Sequence, residues 1–134
     1  MSASTELISR YYAAFNRGDF EGMLALVSDD VAHDVNQGGR ELGRDAFRSF
    51  LARMNLSYSE QVVELVVCES ASGTRCAAEL DVIGTYLKSD PGFPEARGQR
   101  YRLPAGAFFE VRAGLIARVT TYYNVREWLA QVGA

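Results

Sequence analysis

Three kinds of residue in this chain could move or hold a proton. They are the single histidine, His33; two carboxylates one pleat apart, Glu79 and Asp81; and Tyr11, on the apolar stripe of a helical segment. His33 alternates with Val31 and Val35, so its ring points where those apolar side chains point, and a histidine so placed is either a satisfied core residue or a base. Glu79 and Asp81 share one face of a strand whose other face (Cys76, Ala78, Leu80, Val82) is equally apolar. The commoner arrangement would leave the carboxylates in solvent. Placed inside instead, Asp81 would have its pKa raised by desolvation, with Glu79 adding like-charge repulsion, which makes it a candidate acid or base near neutral pH. Tyr11 is a packing residue or a hydroxyl donor at the core edge. No second histidine or cysteine pair at ligand spacing accompanies His33, so neither a metal nor another cofactor is expected.

These residues need elements to position them. Leu7, Tyr11 and Phe15 recur at i, i+4, i+8 behind Ser4 and ahead of Gly18, which predicts a first helix. Asp19 can cap a short second helix carrying Met23, Leu24 and Val27, and Phe47, Phe50, Leu51 and Met54 mark a third. Between them VAHDV reads as a short strand, with a turn at 36–39. Strands are expected over 62–69 and 74–87, then 100–112 and 115–124, with a short helix over 126–132 to close. The segment 88–98, holding Pro91, Gly92 and Pro94, reads as an irregular connector.

The last hairpin carries the clearest register. A turn at Ala113-Gly114 puts Glu110 opposite Arg118 and Phe109 opposite Val119, so that Ala107, Phe109, Val111, Ala117, Val119 and Thr121 share the core side. A hairpin symmetric about Ser72 would place Cys68 opposite Cys76, where two buried thiols are the better reading than a disulfide. Helices followed by antiparallel strands form an α+β fold, a curved sheet with helices on one face enclosing a small-molecule pocket. An apolar outer face of that sheet would need a cover, and a homodimer interface supplies one.

A length of 134 residues fits one domain over 1–134. The net charge of −3 and the absence of a basic cluster argue against nucleic acid as a partner. No apolar run approaches membrane-spanning length and no signal pattern opens the chain, so a cytoplasmic location is expected. Dinucleotide, phosphate-loop and nucleophile-elbow signatures do not occur.

The strings RYYAAFNRGDFEGMLALVSDD, HDVNQGGRELGRDAF, GTY, RGQRYRLPAGAFF and RVTTYYNVREW resemble the nuclear-transport-factor-2-like superfamily, in its ketosteroid-isomerase-related or SnoaL-like branch. The resemblance implies a cone of curved sheet around three helices, a deep pocket and commonly a dimer through the outer face. Against ketosteroid isomerases, Tyr11 matches the oxyanion-hole tyrosine; the general base falls at Val35, or at Asp34 with a gap, and the second oxyanion acid at Ala107. Against limonene-epoxide-hydrolase-like members, Asp81 matches the acid, Glu79 an arginine, His33 a tyrosine and Thr121 the water-activating aspartate. Both comparisons imply that Tyr11, His33, Asp81 and Thr121 face the pocket. The expectation is proton transfer on an apolar carbonyl ligand, with Tyr11, His33 and Asp81 catalytic. Val35, Asn36, Glu79, Ala107, Phe109, Val119, Thr121 and Tyr123 would line the ligand. A non-catalytic binder of a lipid-like ligand or a dimeric scaffold is the alternative, and water addition or elimination by Asp81 with His33 is a third.

Overall fold

The computed structural model describes residues 2–36 and 38–133. Its elements are α1 (Ala3–Asn16), α2 (Phe20–Leu24), β1 (Val27–Asp34), β2 (Arg40–Leu42), α3 (Arg44–Ser57), β3 (Tyr58–Glu69), β4 (Arg75–Tyr86), β5 (Arg100–Arg112), β6 (Leu115–Tyr123) and α4 (Val125–Val132). One curved, unclosed sheet in the order β2-β1-β6-β5-β4-β3 carries α1, α2 and α3 on its inner face. The α+β architecture is the expected one, with one difference: β1 runs parallel to β6, pairing His33 with Val119 and Asp34 with Thr120. The crossover from β1 to β6 spans most of the chain, so no local sequence pattern announces that pairing.

Local chemistry sets the boundaries. Ser2, rather than Ser4, caps α1 by accepting from Thr5 N at 3.1 Å, and Asp19 caps α2 through Gly22 N at 2.9 Å. The turn between β5 and β6 has positive φ at both Ala113 (52°) and Gly114 (76°), and Glu110 pairs with Arg118 and Phe109 with Val119 as read from the sequence. The β3–β4 hairpin departs from expectation by one residue near its tip: Cys68 pairs with Ala77 and Cys76 with Glu69. The two thiols therefore lie on opposite faces, Cys68 exposed and Cys76 buried, and no disulfide joins them. A bulge between Val63 and Val66, with Glu64 at φ 54°, restores the Val63–Asp81 pairing further along.

Two apolar clusters fill the inner face. The larger holds Leu7, Ile8, Tyr11, Val31, Phe47 and Phe109 under the N-terminal helices; the smaller holds Tyr86, Tyr101, Leu103, Trp128 and Val132 beneath α4. Val82 packs against both and marks the seam between them. The 87–99 connector is strapped onto the smaller cluster. Tyr86 Oη donates to Pro94 O (2.7 Å) and accepts from Asp90 N (2.9 Å), while Tyr58 Oη donates to Asp90 Oδ2 (2.7 Å).

Candidate functional site

Alternation along β4 and β5 decides which candidates face inward. On β4 the buried residues are Cys76, Ala78, Leu80, Gly84 and Tyr86, and their β5 partners Phe109, Ala107, Ala105 and Tyr101 are inner as well. Asp81 falls in the opposite slot. Its carboxylate lies on the outer face and accepts from Arg102 Nη2 (2.8 Å) and Nε (3.0 Å), with Glu79 exposed beside it. Asp81 and Glu79 thus face away from the helices, not into the inner face as expected, and line a groove on the outer side instead, so Asp81 is not paired with His33 for water addition or elimination. The alternation of the strand, with the apolar set under the helices, was the better guide.

Of the two candidate isomerase-base positions, Val35 is half-buried just past the end of β1, while Asp34 turns outward, accepting from Arg40 Nε (2.6 Å) and Thr120 Oγ1 (2.6 Å), which hold its carboxyl down at about 2. Ala107, Phe109 and Val119 are buried on the inner face, and Thr121, paired with Ala107, is half-buried there.

Tyr11 packs edge-on against Tyr12 and Phe109, and burial raises its pKa. His33 is 5% exposed, wedged against Phe47 and Phe50 at ring separations of 4.8 and 4.4 Å. Burial lowers its pKa, outweighing the opposing pull of Glu41 and Asp34, so the ring is neutral at pH 7. Its Nδ1 and Glu41 Oε1 are both buried without a hydrogen-bond partner, 3.8 Å apart.

A second polar group stands at the other end of the same face. Glu60 pairs with Gly84 and Gly84 with Tyr101 across three strands. A Cβ on Gly84 would fall within the Tyr101 ring, so the glycine is what lets that ring lie across β4. The Tyr101 hydroxyl thereby reaches β3 and donates to Glu60 Oε2. Burial raises the Glu60 pKa, with the Tyr101 bond opposing it. Tyr123, one strand away on the inner face, has its hydroxyl pKa raised by burial and by the charges of Glu60 and Asp90. Asn36 opposes that rise, and its Nδ2 is buried without a hydrogen-bond partner.

The structure does not bring the two groups together. Tyr11 and His33 belong to the row of Phe109, whereas Tyr101 lies eight residues along β5, roughly 26 Å of strand contour. Glu60 is absent from the expected set because a strand was expected to begin at Val62. β3 in fact starts at Tyr58, directly after α3. The signal was there in Tyr58, Glu60 and Val62, an alternating set with a charge in an inward slot. An open groove of about 860 Å³ lies along the outer face of the sheet, and Val66, Glu79, Asp81, Phe108, Tyr122 and Tyr123 are among the residues that line it. Among the described residues no cluster of three or more His, Cys, Asp or Glu is placed to hold a metal. Nor is any of the described helices long and apolar enough to cross a membrane.

Comparison with known proteins fits this architecture. A provisionally assigned polyketide cyclase from Xanthomonas campestris pv. campestris is 57% identical, with 96% of each chain covered and a TM-score of 0.93. A second such protein, from Pseudomonas putida, is 53% identical over 98% of each chain with a TM-score of 0.95. An NTF2-like protein of unknown function from Burkholderia pseudomallei shares the fold at 18% identity, TM-score 0.83, over the full length of both chains. No protein of curated function matches. The SnoaL-like domain model matches residues 8–119, and the chain belongs to the SnoaL-like domain family, with an NTF2-like fold.

Proposed function

We propose that this protein is a small-molecule enzyme that removes and returns a proton beside a carbonyl, at the seam of its inner face, with Glu60 as the acid–base residue. Membership of the SnoaL-like family makes the chain a small-molecule enzyme or binder in general terms. The observation that carries the finer reading is the Glu60–Tyr101 pair: an inward carboxyl raised by burial and held in one orientation by a tyrosine. In its ionised form Glu60 takes a proton from the carbon next to the carbonyl, and the C–H electron pair moves to the carbonyl oxygen as an enolate. Returning the proton to another carbon is isomerisation; attack of the enolate carbon on a second carbonyl is cyclisation. The provisional description of the 57% and 53% identical relatives favours the latter and a ligand with several carbonyls. Ketosteroid isomerisation by its usual acids is disfavoured, since Val35 and Ala107 occupy two of their positions. Tyr11 and His33, in the Phe109 row, lie outside that site and are left to packing.

The test is deuterium uptake from D2O by a bicyclic aryl ketone such as 2-tetralone, followed by NMR. The wild-type protein accelerates exchange next to the carbonyl, and Glu60→Gln removes about a hundredfold of that acceleration. No acceleration by the wild type, or an unchanged rate in the variant, overturns the reading. Ligand binding without exchange supports the alternative, a non-catalytic binder of an apolar ligand. The outer groove, with Val66, Phe108 and Tyr122 exposed at 54%, 44% and 58%, is read as the interface of a homodimer.

A further inference from the structure

β6 stops short of the Glu60–Tyr101 pair. Its last ladder partner is Tyr123 with Ala105, so the stretch of β5 that carries Tyr101 has β4 on one side and, among the described residues, no strand on the other. A side chain stands in for the missing strand. Gln131, on α4, accepts from Arg102 N through Oε1 (2.8 Å) and donates to Arg102 O through Nε2 (2.8 Å), satisfying both backbone groups of the residue next to Tyr101. Trp128 lies one turn back on the same side of α4 and packs edge-on against Tyr101, Tyr58 and Tyr86, at ring separations of 6.1, 6.0 and 5.2 Å. It is 4% exposed. Gln99 ties the end of the helix to the connector, donating to Val132 O (2.9 Å). The helix that fixes the backbone beside Tyr101 is therefore also the one whose indole covers the Tyr101 ring, and that ring carries the hydroxyl that orients Glu60. An amide suits the task, because it sets one acceptor and one donor side by side, without charge, against the N–H and C=O of a single strand residue.

We infer that Gln131 is a positioning residue for the Glu60–Tyr101 pair: it replaces β6 beside Tyr101 and keeps α4, with Trp128, seated as the dry cover of that pair. This rests on the Glu60 reading, which gives the pair its use, but is separable from it. Without the clamp, Arg102 N and O turn to water, α4 loosens and water reaches the carboxyl. Burial is the larger influence on Glu60, ahead of the opposing Tyr101 bond, so its midpoint then moves down toward the ordinary carboxylate value. The other titratable groups around the pair are Tyr58 on the same strand as Glu60, Tyr123 on β6 and Asp90 of the connector, to which Tyr58 is bonded. Each is unchanged in the variants below.

The test is carbon-13 NMR of the full chain labelled at its glutamates, with the Glu60 carboxyl assigned by its loss in Glu60→Gln and its midpoint read by pH titration. In the wild type that midpoint lies above the ordinary carboxylate value. In Gln131→Ala it falls toward that value, acrylamide quenching of Trp128, the single tryptophan, rises about twofold or more, and 2-tetralone exchange slows about tenfold. Gln131→Met, which keeps the bulk and loses both bonds, moves all three the same way, which separates the clamp from mere filling. Ser4→Ala removes a side-chain bond to the backbone at the β3–β4 turn, Ser4 Oγ to Gly73 O, and moves none of them. A Glu60 midpoint unchanged in either Gln131 variant, folded, overturns the inference whatever the loss of stability, since a bond that merely docks the helix would leave the carboxyl where it was. A wild-type midpoint at the ordinary value overturns it too. If the midpoint depends on Gln131 while the wild type shows no 2-tetralone exchange, the Glu60 reading fails and the Gln131 assignment stands. Glu60-dependent exchange with no dependence on Gln131 is the reverse case.

Discussion

At the scale of single residues, Glu60 and His33 are each shifted so as to resist charge. Glu60 holds its proton more tightly in the folded chain than in the unfolded one. Between the ordinary carboxylate value and the raised native one, the native state therefore carries the extra proton, and stability falls as pH rises through that window. Glu60→Gln keeps an acceptor for Tyr101 and removes the ionisation. Thermal unfolding should show the variant at least as stable as wild type at pH 8, with no advantage at pH 4, even as activity is lost. His33 has the opposite sign. With its native pKa below 6.5, the unfolded chain takes up the proton first, and stability falls as pH drops below about 6.5. His33→Phe, packing against Phe47 and Phe50, should flatten that acid limb in melts at pH 7.5 and pH 5. Types of residue able to do chemistry were legible in the sequence; their sides were not. Asp81 and Glu79 were assigned to the inner face by likeness alone, against the strand's own alternation, and one residue along a strand is a full change of face.

Element by element, legibility followed locality. The helices, their stripes, the Asp19 cap and the β5–β6 register all depend on neighbours within a turn or a hairpin, and all were readable. The β3–β4 tip slipped because its loop is centred between Ser72 and Gly73, not on Ser72, and the parallel β1–β6 pair has no local signature. That pair has its own fastening. Asp34 accepts from Thr120 on β6 and from Arg40 on β2, tying three strands, and Asp34→Ala should cost about 1–2 kcal/mol in urea unfolding. At the β5–β6 turn, Ala113 adopts φ 52°, a conformation that penalises its Cβ. Ala113→Asn should stabilise by about 0.5–1 kcal/mol, and no change would mean that the strain is relieved elsewhere.

For the whole molecule, the inner face is divided between two apolar clusters and the outer face carries an open groove. Sedimentation should give a particle of twice the 14.8 kDa chain mass, and Phe108→Asp should return it to a monomer without unfolding it. A monomeric wild type would leave the outer groove to another partner. The placement of β1 between β2 and β6 has a further consequence, for the order in which the chain can become a protein. Val27 to Asp34 emerges from the ribosome well before its principal neighbour, Ile116 to Thr120, and most of the sheet is made between them. Until then the first strand and the three helices over it have only the three-residue β2 and one another to bury against. Synthesis interrupted before residue 116 should therefore yield a chain with exposed apolar helix faces rather than a stable half-domain, and chaperone dependence should end abruptly when β6 is complete.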